Sequence, residues 1–380
     1  MKSCLVIAGE KSGEEHALSF FHQLKKESPD TSFFGVGGNE LKDQGLELLY
    51  HLNDFSSWGY SEVFAKIPFY INAMDVILTE VEKRGTKVAI LIDFQSFNLK
   101  LAGKLKEKGV EVLYYVAPQA WAWKEYRVKK LAHSVHTLFT IIPFEKNWFS
   151  ERGVNKVISI DHPLLTTYQK ELEHYQSHQF GKTINLLLLP GSRHFEVEKL
   201  LPEFIDAYLE LNKKLKISLS IVKSSSVSRE LFTPYEKHFD TVYSNEELVI
   251  ALKSADFAFA ASGTVTLTCA LFEVPTVVCY KTSLINQFIF ETFVKYNWFI
   301  SLANIIHNCS VFPELLQDSA SSYNIVSEFQ KWYYNHKKYQ EIKNALKETK
   351  RLVKGEKINV AHYMSEVLER SYGKNLNSHI

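Results

Sequence analysis

The chain has 380 residues, 46% hydrophobic and 23% charged, and its 44 Lys+Arg against 43 Asp+Glu leave a formal net charge of +1. That length accommodates two domains of ordinary size, and the composition excludes disorder and low complexity. A balanced charge removes the global basic field that a nucleic-acid partner needs. No run reaches the roughly 18 uninterrupted apolar residues of a membrane-spanning helix.

The first element predicted is a strand, Cys4–Ala8, closed by the turn Gly9-Glu10-Lys11-Ser12-Gly13 and followed by a helical pattern through Leu24. The apolar run before Glu10 is too short for a signal-peptide core. Further strands are predicted at 33–36, 88–92 (closed by Asp93), 110–116 (ending in Ala117-Pro118) and 138–142 (stopping at Pro143). Continuous apolar strands alternating with helices argue for a doubly wound parallel sheet. Residues 165–183 are polar and read as a linker. A second alternation follows, with strands at 184–189, 217–222, 241–243, 257–261 and 275–280. The expected organisation is therefore an N-terminal Rossmann-like domain over 1–164, a linker, a C-terminal one over 184–356, and a helix over 357–380 packing back across the junction. Two such domains facing a central cleft suit a donor on one side and an acceptor on the other. Cys4, Cys269, Cys279 and Cys309 form no C-x-x-C pair and read as thiols of a reducing, cytoplasmic compartment.

Two junctions in the second half carry the chemistry. Residues 186–196, LLLLPGSRHFE, and 255–264, ADFAFAASGT, each run a strand into a Gly/Ser turn and a helix start. Either turn alone is more often plain chain reversal, and neither fits the P-loop or G-x-G-x-x-G patterns. Together they offer backbone N–H groups and two helix-dipole ends to a diphosphate. Arg193 adds an always-ionised fork for phosphate oxygens.

Several segments together resemble the lipid-A-disaccharide synthases, inverting glycosyltransferases of the two-domain GT-B fold. They are AGEKSGEEHA (8–17), GVGG (35–38), WGYSEV (58–63), IDFQSFN (92–98), YVAPQAWAWKEYR (115–127), PFE (143–145), LLPGSRHFEVE (188–198), ASGTVTL (261–267) and SLANI (301–305). The resemblance implies transfer of 2,3-diacylglucosamine from UDP-2,3-diacylglucosamine to the 6-hydroxyl of 2,3-diacylglucosamine 1-phosphate. The products are a β-1,6 disaccharide 1-phosphate and UDP. No cofactor is implied and no metal, in keeping with the lack of a convincing D-x-D motif. The inner-membrane surface is the implied peripheral partner, and the assembly is left open between a single chain and a homodimer.

Inverting transfer needs a base for the acceptor hydroxyl and positive groups for the departing diphosphate. Asp93, matching the first acid of the family's ID-x-P-D-F-N segment, is the preferred base, against the alternative of an Asp that caps the next helix. Glu10 could orient the hydroxyl, and His16 is a second candidate base, although a histidine there is more often a solvated surface group. Ser12 and Gly13 offer N–H groups to the substrates, and Arg127 is placed on an acceptor phosphate or in a surface salt bridge. Gly191, Ser192 and Arg193 are expected on the diphosphate with Glu196 holding the arginine or capping its helix. Ser262, Gly263 and Thr264 form the second cradle, and Asn304 matches the asparagine of the family's L-P-N segment, expected on the nucleotide. The aromatic stretches 58–77 and 284–300 read as core or as helices at a membrane interface.

The chain departs from the family at Gln95 and Ser96, at Ala303, at Asp161 (before His162), and at Thr268, where a glutamate that could grip the ribose is missing. Glu273 is the nearest candidate to compensate. Two other readings stand beside the synthase: a diverged, weakly active or non-catalytic homologue that binds UDP-sugar or lipid, and another UDP-GlcNAc enzyme of this fold such as a 2-epimerase.

Overall fold

The computed structural model describes residues 2–55, 66–122, 125–282 and 299–373. They fall into two compact units, one running up to Pro163 and resuming at Lys354, the other spanning Leu164–Val353. Among the described residues no helix is long and apolar enough to cross a membrane.

The first unit carries β1 (Lys2–Ala8), α1 (Lys11–Glu27), β2 (Thr31–Gly37), β3 (Glu47–His51), α2 (Ile67–Lys83), β4 (Val88–Ile92), α3 (Gln95–Glu107), β5 (Glu111–Tyr115), α4 (Arg127–Ser134), β6 (Thr137–Thr140), α5 (Glu145–Glu151) and β7 (Val157–Ser159). Its strands form a parallel sheet in the order β3-β2-β1-β4-β5-β6-β7. β4 is apolar at every position, and β1 from Cys4 on, because both faces are covered. Side chains alternate along β1: Leu5 and Ile7 join Met74, Ile77 and Leu101 on one face. Cys4, Val6 and Ala8 join Phe20, Phe21 and Leu24 of α1 on the other.

That second face is completed by the C-terminal helix Val360–Gly373, which contributes Met364, Val367 and Leu368. Tyr372 anchors it: its hydroxyl donates to the Ser3 carbonyl (2.6 Å) and accepts from the amides of Ser3 (3.1 Å) and Lys87 (3.0 Å). Just before the helix, Gly355 N donates to Asp161 Oδ1 at 2.7 Å and Glu356 N to the Ser159 carbonyl at 2.8 Å. The departure at Asp161 thus has a local job, holding the returning chain at the end of β7.

The second unit contains β8 (Ile184–Leu189), α6 (His194–Asn212), β9 (Ile217–Val222), β10 (Thr241–Tyr243), β11 (Phe257–Ala261), α7 (Thr264–Leu271), β12 (Thr276–Tyr280), α8 (Leu302–His307), β13 (Glu314–Leu316), α9 (Ser322–Tyr333) and α10 (His336–Lys347). Its parallel sheet runs β10-β9-β8-β11-β12-β13. The segment expected as a linker includes short helices, Pro163–Thr167 and Gln169–Glu173, and is strapped to this unit. The rings of Tyr168 and Tyr175 stand edge-on to Phe272 at 5.9 and 5.3 Å, Phe180 packs on Phe257 and Tyr339, and His178 Nε2 meets Asp256 Oδ1 at 2.9 Å. Rings spaced this irregularly produce no helical or strand period, which is why the stretch reads as polar linker.

Met364 is fully buried in the first unit. Met364→Ala is expected to lower its unfolding free energy by about 2–5 kcal/mol, read from denaturant unfolding at unchanged m-value. A loss below about 1 kcal/mol would place the C-terminal helix outside the cooperative core.

Candidate functional site

In an open parallel sheet, ligands gather where the strand order reverses, because the two loops leaving the strands there part to opposite faces. In the first unit that point lies between β1 and β4. The residues just past these strands are Gly9-Glu10 and Asp93-Phe94. In the second unit it lies between β8 and β11, which pair Leu189 with Ala260. Past them come Pro190-Gly191-Ser192-Arg193 and Ser262-Gly263-Thr264. Glu10, Asp93, Gly191, Ser192, Arg193, Ser262, Gly263 and Thr264 therefore sit at the switch points of their own sheets, whereas Arg127 and Asn304 do not.

At the first switch point Asp93 N donates to the Tyr115 carbonyl at 2.9 Å, extending the ladder one residue beyond β4. The chain then bends sharply, with φ of 46° at Asp93 and 43° at Phe94. The Phe94 ring turns back over Gly9, where a Cβ would come within 2.8 Å of it. Burial pushes the Asp93 carboxyl above the ordinary aspartate range, opposed by hydrogen bonds from the Phe94 N–H and the Ser12 hydroxyl. Glu10 is also raised, by loss of hydration and then by the Asp93 charge. Burial lowers His16, so its imidazole is neutral at neutral pH. His162 is pushed down to about 4, chiefly by burial. Gly13 is buried in the first turn of α1.

A cavity of about 1230 Å³ opens beside Asp93 and Glu10 within the first unit. Ile67, Tyr70, Ile71 and Met74 of α2, with Phe94 and Phe97, form its apolar side. Lys100 and Lys104 of α3 and Lys129, Lys130 and His133 of α4 also line it, with Asp75 and Glu107 among them. The apolar side rests on Phe55, whose ring meets Phe69, Phe97 and Phe94 at 5.2, 5.3 and 5.7 Å. Ile67 and Ile71 are 45% and 59% exposed. The described part of the 58–77 stretch thus supplies both core and groove wall. Its residues 58–65, and 284–298 of the other aromatic stretch, lie outside the described residues. The groove's lysines were missed in the sequence, although the i, i+4 spacing of Lys100 and Lys104 was available as a signal.

Arg127 is buried, 5% exposed, and its Nη1 donates to Gln95 Oε1 at 2.7 Å. The residue standing at the family's proline position is thus an amide partner for this guanidinium. Glu145 of α5 is fully buried, accepting from Trp121 Nε1 at 2.9 Å and Ile142 N at 3.3 Å. Burial pushes its carboxyl up to about 8.

In the second unit Gly191 has φ +111°, and a Cβ there would lie 2.5 Å from Glu196 Oε2 and 3.4 Å from the Ala261 methyl. Glycine suits this place because the backbone is left-handed and the Glu196 side chain closes over it. Arg193 is the N-cap residue of α6, and its Nη1 donates to Glu196 Oε1 at 2.8 Å while the side chain stays 80% exposed. Ser226 Oγ donates to the Ser192 carbonyl at 2.8 Å, bracing the turn. Gly263 is the N-cap of α7, and neither it nor Arg193 makes a side-chain cap hydrogen bond. The first turns of both helices thus keep N–H groups for an anion.

Asn304 is fully buried, its amide donating to the Phe312 carbonyl and Glu314 Oε1, both at 2.8 Å, and accepting from Phe312 N at 2.8 Å. Both amide protons are engaged inside the unit, so its side chain shapes the chain between α8 and β13. Thr268 is buried. Glu273 cannot replace the missing glutamate: it lies past the C-terminal end of α7, about 12 Å of helix from the Ser262–Thr264 turn, with Lys343 donating to its carbonyl at 2.7 Å. Among the described residues no group of three or more His, Cys, Asp or Glu could hold a metal ion.

Three comparisons bear on this geometry. The sequence pattern of the lipid-A-disaccharide synthetase family matches residues 4–368. A lipid-A-disaccharide synthase of Myxococcus xanthus is 34% identical over 337 residues, covering 85% of this chain and 86% of that protein. Among solved structures, the UDP-GlcNAc 2-epimerase from Neisseria meningitidis bound to UDP-GlcNAc is similar at a TM-score of 0.53 and 13% identity, covering 99% of this chain and 100% of that one. A calicheamicin glycosyltransferase is similar at 0.55 and 11%, covering 99% of each. The structural likenesses show the fold, GT-B, and reach glycosyltransferases and epimerases equally.

Glu145 offers a check on the buried site. Its folded-state pKa of about 8 lies above the unfolded value of 4.5, so the folded state holds its proton more tightly. Wild-type stability therefore falls as pH rises through that window, by up to about 4–5 kcal/mol. Glu145→Gln, which lacks this titration, is expected to gain stability relative to wild type from pH 4.5 to 8 in parallel urea titrations. A pH-independent difference would sink the assignment.

Proposed function

The chain belongs to the lipid-A-disaccharide synthetase family, and from that premise we propose how its residues divide the work of a glycosyltransferase. It is a lipid-A-disaccharide synthase. We infer that UDP-2,3-diacylglucosamine is the donor, 2,3-diacylglucosamine 1-phosphate the acceptor, and the inner-membrane surface the place where both are met.

The Asp93 carboxylate takes the proton of the acceptor 6-hydroxyl. That oxygen attacks C1 of the donor sugar on the face opposite the diphosphate, the C1–O bond to UDP breaks, and inversion gives the β linkage. A carboxylate held above its ordinary pKa is the stronger base for this step, and Glu10 beside it orients the hydroxyl. His16, kept neutral by burial, stands as the second proton acceptor. The single observation that carries this reading is the placement of Asp93 and Glu10 together at one switch point.

On the donor side, Arg193 and the N–H groups of Gly191-Ser192 take the diphosphate, with Ser262-Gly263-Thr264 as the second cradle. Their charge and dipoles stabilise the UDP that leaves. Glu196 holds the Arg193 fork in register. The apolar side of the groove suits acyl chains, and its lysines suit the acceptor 1-phosphate. Ile67 and Ile71, exposed on α2, suit contact with a lipid surface.

Two measurements check this. Incubation of the acylated donor and acceptor, dispersed in detergent, is expected to yield disaccharide 1-phosphate and UDP in equal amounts, with Asp93→Ala lowering kcat by about 10²–10⁴-fold. Full turnover in that variant removes Asp93 as the base. Arg193→Ala is expected to raise the Kd for UDP about tenfold, a charged hydrogen bond's worth at a solvent-exposed position, by calorimetry. An unchanged Kd removes the clamp.

A further inference from the structure

The Asp93 backbone is bent into a conformation that costs a non-glycine residue about 1–3 kcal/mol, and Phe94 shares that cost. Something must hold the bend, and the structure contains two side chains that converge on one atom, the Asp93 carbonyl oxygen. Tyr114 Oη donates to it at 2.9 Å from the neighbouring strand β5. Asn98 Nδ2 donates to it at 3.0 Å from the first turn of α3, and to the Ile92 carbonyl at 3.1 Å. Both side chains are fully buried.

The same peptide unit has a second end. Its N–H, that of Phe94, is on the side of the Asp93 carboxyl and favours the charged form of that group. A peptide is rigid and planar, so pinning the carbonyl on one edge fixes where the N–H on the other edge points. The carboxylate is thereby oriented through the plane of its own peptide. Neither side chain suits pure packing. A phenylalanine would fill the place of Tyr114, and Asn98 is retained although its Oδ1 is buried with no partner among the described residues, an arrangement that costs about 1–3 kcal/mol.

We infer that Tyr114 and Asn98 are positioning residues that lock the Asp93–Phe94 peptide and so aim the Asp93 carboxylate at the acceptor hydroxyl. This rests on Asp93 as the base. Neither residue touches substrate.

Steady-state turnover of four full-length variants tests it. Tyr114→Phe removes one hydroxyl and is expected to lower kcat about 10–100-fold, with both KM values within about twofold of wild type. Asn98→Ala is expected to do the same where it folds. Val112→Ala, a cavity on the same buried face of β5 that does not touch Asp93, is the control for stability. It should lower the thermal midpoint at least as far as Tyr114→Phe while leaving kcat within about twofold. Asp93→Asn separates the two claims. If it is inactive while Tyr114→Phe keeps wild-type kcat, or loses no more than Val112→Ala does, the positioning role is overturned and the base stands. If Asp93→Asn turns over like wild type, the base reading falls and the positioning role with it.

Discussion

A parallel strand cannot be joined to its neighbour by a tight turn, so each unit must send its chain across one face of the sheet and back. Every helix of that crossover covers apolar strand, and every strand ends on the same edge. From this one constraint follow the continuous apolar runs of β1, β4, β8 and β11 and the two-sided cores around them. The loops that follow the strands then collect at one edge, and they part most openly where the strand order reverses. Asp93 and Glu10 occupy that point in one sheet, and the Gly191–Arg193 and Ser262–Thr264 turns occupy it in the other.

The two switch points are electrostatic opposites. In the first unit, burial raises two neighbouring carboxyls and keeps His16 and His162 neutral, so the site gathers groups that accept protons. In the second, two helix starts and Arg193 gather positive ends, with Glu196 opposing them. Proton removal from a hydroxyl and stabilisation of a departing diphosphate are the two demands of inverting glycosyl transfer. On the proposed assignment, each demand falls to a different sheet.

Much of this was legible in the chain. The strands that carry the site are long, apolar and closed by Gly, Ser or Asp, and each was found from those signals alone. The strands Glu47–His51, Val157–Ser159 and Glu314–Leu316 were not, because edge strands of three to five residues carry too few apolar positions to show a period. Roles that depend on contacts between distant segments were also hidden. Asn304 sits in the matching motif, yet its amide protons go to Phe312 and Glu314. Arg127 is buried against Gln95, which sequence registered only as a departure from a proline. The pairing of Glu145 with Trp121 joins two motifs 24 residues apart, and no local pattern announces it. The groove was half legible: its aromatic wall was noticed, its lysines were not, since a charged helix face is ordinarily just solvated.

In the proposed division of labour each sheet's reversal point handles one side of the reaction. A crystal structure of the protein with UDP and 2,3-diacylglucosamine 1-phosphate tests it most directly. The prediction is an acceptor 6-hydroxyl within about 2.6–3.2 Å of the Asp93 carboxylate, and a diphosphate held by Arg193 and the N–H groups of the Gly191 and Gly263 turns. A hydroxyl seated on His16 with Asp93 turned away, or UDP bound clear of both turns, would contradict it.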